Sequence, residues 1–127
     1  MMFRDGEYVD LESQEHRWIT WVQAVQSLAE QYAASDLGPL RVCMLEIGAG
    51  GNVTTTRMTT EGVAQQFALC GAEVTAIRVN PELPFADEKS IRNEDKIKFV
   101  SIMSKGLDAI RDIDRHAQET WARSSEL

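Results

Sequence analysis

LRVCMLEIGAGGNVTTTR, residues 40–57, decides the fold class that we predict for this chain. Residues 40–47 are apolar except for Arg41 and Glu46, and a short apolar run without alternation is typical of a strand covered on both faces of a parallel sheet. Three glycines then fall within four residues, followed by an asparagine and three threonines. We therefore predict a buried strand that ends in a glycine-rich loop over residues 48–56, and the question is which nucleotide, if any, that loop binds.

The remaining segments extend this strand into an alternating pattern of helices and strands. The predicted elements are a helix over residues 10–34, the strand over 40–47, a helix over 59–69, a strand over 73–79, a loop over 80–95, a strand over 96–102 and a helix over 106–121. Strands joined by helical crossovers predict a parallel sheet with right-handed connections. The fold class is thus α/β: a three-layer, Rossmann-like parallel sheet of three to four strands with flanking helices, in a single domain over residues 1–127.

Apolar residues at steps of three and four predict which side of each helix is buried. In the first helix the stripe is Trp18, Trp21, Val22, Val25, Leu28, Ala29 and Tyr32; in the second it is Val63, Phe67 and Ala68; in the last it is Leu107, Ile110, Ile113, Ala117 and Trp121. Gly71 is placed to stop the second helix. We expect Trp18 and Trp21 to point in different directions, and Trp121 either to cap the edge of the core or to anchor a partner.

Composition limits the class of protein. The chain has 127 residues and a net charge of −7, and an acidic balance argues against nucleic acid as a partner. No stretch approaches the roughly 18 apolar residues of a membrane span, and charged residues interrupt the N-terminal segment where a signal peptide would be apolar. Cys43 and Cys70 have no metal-ligand spacing and are expected to be reduced, partly buried thiols. These features predict a soluble, intracellular protein.

The glycine loop matches nucleotide motifs only in part. A Walker loop needs a lysine followed by Ser or Thr, which is absent here. The dinucleotide fingerprint is half present: Gly48 and Gly50 match, the third glycine is Val53, and Arg78-Val79-Asn80 stands where an acidic residue would end the next strand. LEIGAG also looks like the first motif of adenosylmethionine-dependent methyltransferases, a family that has an acidic residue near the position of Arg78. A tight turn that binds nothing is the remaining alternative.

Two conspicuous loops follow consecutive predicted strands. One begins at Gly48 and the other at Asn80, within the sequence Asn-Pro-Glu. Ligands of parallel sheets collect at the carboxyl ends of the strands. We expect both loops at one rim of the sheet, although Asn80 is also a common turn residue before proline.

Taken together, these motifs resemble the C-terminal half of the large Rossmann-like domain of sirtuins, the NAD-dependent protein deacylases. GAEVTAIRVNPE, residues 71–82, is similar to that family's strand ending in an Asn-x-Glu motif, and FVSIMSKGLDAI, residues 99–110, is similar to its closing strand and helix. MMFRDGE, residues 1–7, resembles its strand ending in Phe-Gly-Glu, which pairs with the acyl-lysine peptide by β-augmentation. The resemblance covers nearly the whole chain and implies half of a sirtuin-type domain.

The resemblance implies a set of site residues with NAD as the cofactor. The cofactor-binding residues would be Gly48, Ala49, Gly50, Asn52, Asn80 and Glu82, and the substrate-binding residues Phe3, Arg4 and Asp5. The glycines would line the adenosine of NAD and Asn80 would bond the ribose hydroxyls, since an amide both donates and accepts. Arg4 stands where the family has a glycine.

Several parts of the family pattern are missing from these 127 residues. They are the glycine loop that grips the pyrophosphate, the catalytic His-Gly pair and the four zinc cysteines, so no catalytic residue and no zinc are expected in this chain. His16 and His116 do not follow the family motif and are expected on helix surfaces. The prediction is an NAD-binding sirtuin-like module, inactive alone and either a fragment or a degenerate relative. The alternatives are a non-enzymatic subunit of a larger assembly and a methyltransferase-like domain; partners would be a protein or peptide substrate, or a larger complex.

Overall fold

The structure is a computed structural model that describes residues 11–50, 54–87 and 95–125. Its elements are α1 (Leu11–Ala33), β1 (Arg41–Ile47), α2 (Thr54–Leu69), β2 (Glu73–Val79), β3 (Ile97–Ile102) and α3 (Gly106–Ser125). The α/β class and the alternating order are therefore confirmed. No helix of the described residues is long and apolar enough to cross a membrane.

The three described strands form one parallel sheet in the order β1-β2-β3. The register aligns the strand ends: Arg41 is opposite Glu73, and Ile47 is opposite Val79. Two backbone bonds continue the ladders past the strands, from Gly48 N to Val79 O over 3.0 Å and from Asn80 N to Ile102 O over 3.1 Å. Both loops therefore leave from the same carboxyl rim of the sheet.

Helices α1 and α2 cover one face of the sheet and enclose the core. Phe67 and Val74 lie at its centre, at 0% and 2% exposure. The predicted inward positions of α2 are confirmed, since Val63, Phe67 and Ala68 are all buried. Because side chains of a strand alternate between faces, this covered face takes every second residue of β1 and β2.

Helix α2 begins earlier than the sequence predicted. It starts at Thr54 and not at residue 59, so the threonines assigned to the loop form its first turn. Its end agrees with the prediction: Gly71 has a φ of 101°, its N–H bonds Ala68 O, and the N–H of Ala72 bonds Phe67 O. This pair of bonds is a Schellman motif, which requires the left-handed conformation that glycine adopts freely.

The apolar stripe of α1 is only partly buried. Val22 and Ala29 belong to the core, whereas Trp18, Trp21 and Leu28 are between 42% and 47% exposed. The expectation that the two tryptophans diverge is wrong: their rings stack with centroids 5.4 Å apart, because residues three apart are neighbours on a helix surface. Trp21 also contacts Phe67 edge-to-face at 5.9 Å and so closes one side of the core.

Strand β1 is exposed on its second face, which corrects the prediction that this strand is buried on both faces. Cys43, Leu45 and Ile47 are exposed on that face, so Cys43 is not the partly buried thiol expected from its apolar run. Helix α3 extends to Ser125, beyond its predicted end, and Ala109 is the buried residue of its described side chains. Trp121 is 75% exposed and therefore does not cap the core.

Candidate functional site

The two predicted loops meet at the carboxyl rim of the sheet. The loop after β1 turns at Gly48, whose φ of 81° is one that glycine adopts without strain. A Cβ built on Gly50 would lie 4.0 Å from Nδ2 of Asn80, so the glycine loop passes beside the Asn80 side chain. The juxtaposition expected from the strand ends is thus present.

Asn80 holds the two loops together through its side chain. Its Nδ2 donates to the carbonyl oxygen of Ala49 over 3.0 Å, and its Oδ1 accepts from the backbone N–H groups of Glu82 and Leu83, both over 2.8 Å. The side chain is 6% exposed. Since an amide offers two N–H donors and two acceptor sites, one N–H is left for a further partner. The side chain of Asn80 therefore mainly stabilises the turn, and one of its N–H groups remains available to a ligand.

Arg57, in the second turn of α2, joins the same two loops from below. Its Nη1 donates to Ala49 O over 2.9 Å and to Leu83 O over 2.8 Å, and its Nη2 donates to Phe85 O over 3.1 Å. Nε and Nη2 also form a bidentate pair with the carboxylate of Asp87, over 2.8 and 2.9 Å. A planar guanidinium can satisfy acceptors in several directions at once, so one side chain fixes the glycine loop and the segment after β2.

A second arginine lies directly beneath the rim. Arg78 is 1% exposed and contacts Glu46 at 2.6 and 3.1 Å and Glu61 at 3.1 Å. Its Nη1 also donates to Phe85 O over 3.0 Å, and its guanidinium carbon lies 5.3 Å from the centre of the Phe99 ring. Removing two carboxylates and a guanidinium from water is costly, and these short contacts compensate that cost.

The five charged side chains form one connected cluster: Arg57, Arg78, Glu46, Glu61 and Asp87. Two cations against three anions give it a formal charge of −1. Among the described residues, no buried side-chain nitrogen or oxygen lacks a hydrogen-bond partner. The cluster is therefore a closed structural network beneath the rim.

Electrostatics within the cluster shift two pKa values. The hydrogen bond from Arg57 holds the pKa of the Asp87 carboxyl below its ordinary value of 3.8, against the opposing effect of burial. The same bond raises the pKa of Arg57. Asp87 is half exposed and is the member of the cluster nearest to water.

The predicted cofactor residues fall in three environments. Ala49 is buried and contributes its carbonyl oxygen, Gly48 and Gly50 form the turn, and Glu82 is exposed at the start of the segment after β2. Asn52 lies outside the described residues. So do the predicted substrate residues Phe3, Arg4 and Asp5, whose role stays a prediction.

Sequence reasoning missed the charged cluster, although a signal was present. Glu46 and Arg78 each stand one residue before the end of a strand whose neighbouring residues there are apolar, and the register pairs them. A charge inside a buried strand requires an opposite partner. Aligning the carboxyl ends of the two strands would have predicted the pair of Glu46 and Arg78. Arg57 lies on a helix and Asp87 in a loop, where a charged residue is common and predicts no partner.

The histidines lie on exposed helix positions, and His116 Nδ1 is 3.8 Å from the carboxylate of Glu119. Over residues 11–50, 54–87 and 95–125, no group of three or more His, Cys, Asp or Glu side chains is arranged to hold a metal ion. Comparison of the chain with protein-family models, with curated proteins and with solved structures found no match.

Proposed function

We propose that this chain is a nucleotide-binding module that holds the adenosine portion of NAD at the carboxyl rim of its sheet. One observation carries the proposal: the loops after two adjacent parallel strands are joined there by the bond from Asn80 to Ala49 O, with Gly50 alongside. Dinucleotides bind at this rim in open α/β sheets, where glycine lets the backbone approach the ligand closely.

The chemistry of the rim suits a ribose. Glu82 is exposed there, and a carboxylate accepts hydrogen bonds from vicinal hydroxyl groups. Asn80 offers its remaining Nδ2–H. In this proposal Glu82 is the principal ribose ligand and Asn80 mainly shapes the turn that presents it, because both acceptor sites of the Asn80 oxygen are engaged.

The position of Arg78 limits which residue can hold the ribose. Dinucleotide and adenosylmethionine sites commonly use an acidic residue at the end of the second strand. Here that position is an arginine that is 1% exposed and engaged by Glu46 and Glu61. A ribose ligand must therefore come from the segment after the strand, where Glu82 lies.

The resemblance to protein deacylases extends the proposal to a partner. Deacylation of the sirtuin type needs a histidine base acting on the NAD ribose. Both histidines of this chain sit on exposed helix positions of α1 and α3. We therefore propose that the chain contributes the adenosine side of the site, and that the base comes from another segment or subunit.

Gly50 provides a sharp test. Among the described residues, a Cβ at this position meets only Asn80 Nδ2, at 4.0 Å, so Gly50→Ala leaves room for the fold and adds a methyl group over the loop. We expect NAD and ADP-ribose to raise the melting temperature of the wild-type chain and of a Gly62→Ala control by more than they raise that of Gly50→Ala. A ligand at a hundred times its Kd stabilises the folded state by about 2.7 kcal/mol, which such a scan detects easily.

Two results would overturn the proposal. If millimolar NAD or ADP-ribose left the melting temperature of the wild-type chain unchanged, the proposed nucleotide site would be refuted. If only S-adenosylmethionine raised the melting temperature, the methyltransferase alternative would be favoured. Glu82→Gln refines the test: it should weaken ADP-ribose binding more than it weakens AMP binding if the carboxylate holds the distal ribose, and both equally if it holds the adenosine ribose.

A further inference from the structure

The segment after β2 is fixed to the rest of the fold by side chains. Residues 83–87, here called the strap, belong to no helix or strand and directly follow Glu82, the proposed ribose ligand. Arg57 donates to the carbonyl oxygens of Leu83 and Phe85, over 2.8 and 3.1 Å. Because Leu83 is the next residue after Glu82, the orientation of the Arg57 guanidinium helps to determine where the backbone of Glu82 lies.

Asp87, at the end of the strap, fixes the orientation of that guanidinium. Its two carboxylate oxygens accept from Nε and Nη2 of Arg57, over 2.8 and 2.9 Å, and its backbone N–H donates to Glu61 Oε1 over 2.9 Å. A bidentate pair sets the plane of a guanidinium as well as its position. The remaining nitrogen, Nη1, is thereby directed at the carbonyl oxygens of Ala49 and Leu83, over 2.9 and 2.8 Å.

We propose that Asp87 is a positioning residue of the proposed nucleotide site, on which this inference rests: it acts through Arg57 to hold the glycine loop and Glu82 in the arrangement that binds the ribose. Asp87 does so without contacting the ligand, because its carboxylate and the carbonyl oxygen of Ala49 are bound by different nitrogens of the guanidinium. The Arg57 side chain is 3% exposed and that of Asp87 is 50% exposed. The carboxylate can therefore be replaced with little disturbance of the core.

Charge and position predict opposite effects of removing this carboxylate. NAD and ADP-ribose carry a negatively charged pyrophosphate, so by charge alone the loss of a nearby carboxylate strengthens their binding. The change Asp87→Asn also removes the bidentate pair, because an amide offers one acceptor oxygen in place of two. Arg57 and the strap then have to be ordered when the ligand binds, and that ordering weakens binding. A positioning role of Asp87 therefore predicts weaker binding where charge alone predicts stronger binding.

Asp87→Asn and Glu73→Gln form the test pair. Each replaces a partly exposed, ion-paired carboxylate with an amide, but Glu73 begins β2 at the opposite end of the sheet, 3.9 Å from Arg41. In calorimetric titrations with ADP-ribose, Asp87→Asn should raise the Kd about three- to tenfold, the range expected when a side chain must be ordered on binding. Glu73→Gln should leave the Kd unchanged. Asp87→Glu keeps a carboxylate for Arg57 and should recover most of the lost affinity.

A double-mutant cycle shows whether Asp87 acts through Arg57. Arg57→Lys removes the planar group that the carboxylate orients, so adding Asp87→Asn to Arg57→Lys should change the Kd for ADP-ribose by less than about twofold. Two independent effects would multiply instead. Melting curves without ligand establish that each variant is folded at the temperature of the titration, so the changes in Kd refer to folded protein.

The outcomes separate this role of Asp87 from the nucleotide site itself. If the wild-type chain binds ADP-ribose and Asp87→Asn binds it as tightly or more tightly, Asp87 is not a positioning residue and the proposed function stands. Multiplying effects of Asp87→Asn and Arg57→Lys would likewise exclude a route through the guanidinium. If the wild-type chain does not bind ADP-ribose, both the site and the positioning role are refuted.

Discussion

Arg57 and Asn80 donate hydrogen bonds to the same atom, the carbonyl oxygen of Ala49, over 2.9 and 3.0 Å. One donor comes from α2 and the other from the turn after β2, so the glycine loop is fixed from two directions. The arginine also holds the carbonyl oxygens of Leu83 and Phe85. The rim is therefore shaped before any ligand arrives, which lowers the entropic cost of binding one.

Arg57→Lys should destabilise the chain by about 2 kcal/mol although it keeps the charge, because an ammonium cannot reach acceptors in several directions and leaves buried carbonyl groups unpaired. Urea unfolding monitored by circular dichroism measures the change. Arg41→Lys is the control: Arg41 is 89% exposed and 3.9 Å from Glu73, and such a surface pair contributes roughly 0–1 kcal/mol. Equal effects of the two substitutions would contradict the clamp assigned to Arg57.

Arg78→Met should be the most damaging change in the cluster, costing about 3–5 kcal/mol, because it leaves Glu46 and Glu61 buried without their cation. Replacing both carboxylates as well, in the triple variant Glu46→Leu, Glu61→Leu and Arg78→Met, should recover much of this loss, since an apolar cluster carries no desolvation cost. The recovery should be incomplete, because the Asp87 N–H loses the acceptor oxygen of Glu61 and Phe85 O loses one of its two donors. A triple variant less stable than Arg78→Met would refute this account.

Asp87 gives the cluster a predictable dependence on pH. Its folded-state pKa lies below 3.8, so its ion pair stabilises the fold above that pH and is lost as the pH falls through the lower folded-state value. Asp87→Asn should cost about 1 kcal/mol at neutral pH, a modest figure because half of the side chain is in water.

Unfolding free energies measured from neutral pH downward check this. The difference between wild type and Asp87→Asn should shrink below pH 3.8. If the difference in unfolding free energy stayed constant with pH, the ion pair of Asp87 would not be the cause of the stability difference.

The order of elements was predictable because each left a strong local pattern. The apolar runs of β1 and β2 and the stop at Gly71 depend on neighbours in sequence, and the common rim of Gly50 and Asn80 follows from parallel strands alone. The start of α2 was not predictable in the same way. Threonine has a weak helix propensity, and tertiary contacts made by Arg57 in the second turn compensate for it.

The site was harder to predict because its main contacts are long-range. Arg57 forms hydrogen bonds with Ala49, Leu83 and Asp87, which are between 8 and 30 residues away in the sequence. No local sequence pattern predicts these contacts. The burial of β1 was mispredicted for a related reason. An apolar run predicts that a strand favours burial, but it does not show whether another element packs on both of its faces.

Gly48 and Gly62 form a matched pair in which the same substitution should have opposite effects. Gly48 has a φ of 81°, and moving an alanine into that region costs about 1–2 kcal/mol even though no atom of the described residues lies within 4 Å of the new Cβ. A Cβ on Gly62, within α2, likewise meets no described atom within 4 Å, and alanine there should stabilise the chain by about 1 kcal/mol because glycine is a poor helix former. The melting temperatures of Gly48→Ala and Gly62→Ala therefore distinguish the effect of backbone strain from the effect of steric fit. If Gly48→Ala were as stable as wild type, the left-handed turn that directs the glycine loop toward Asn80 would not be required.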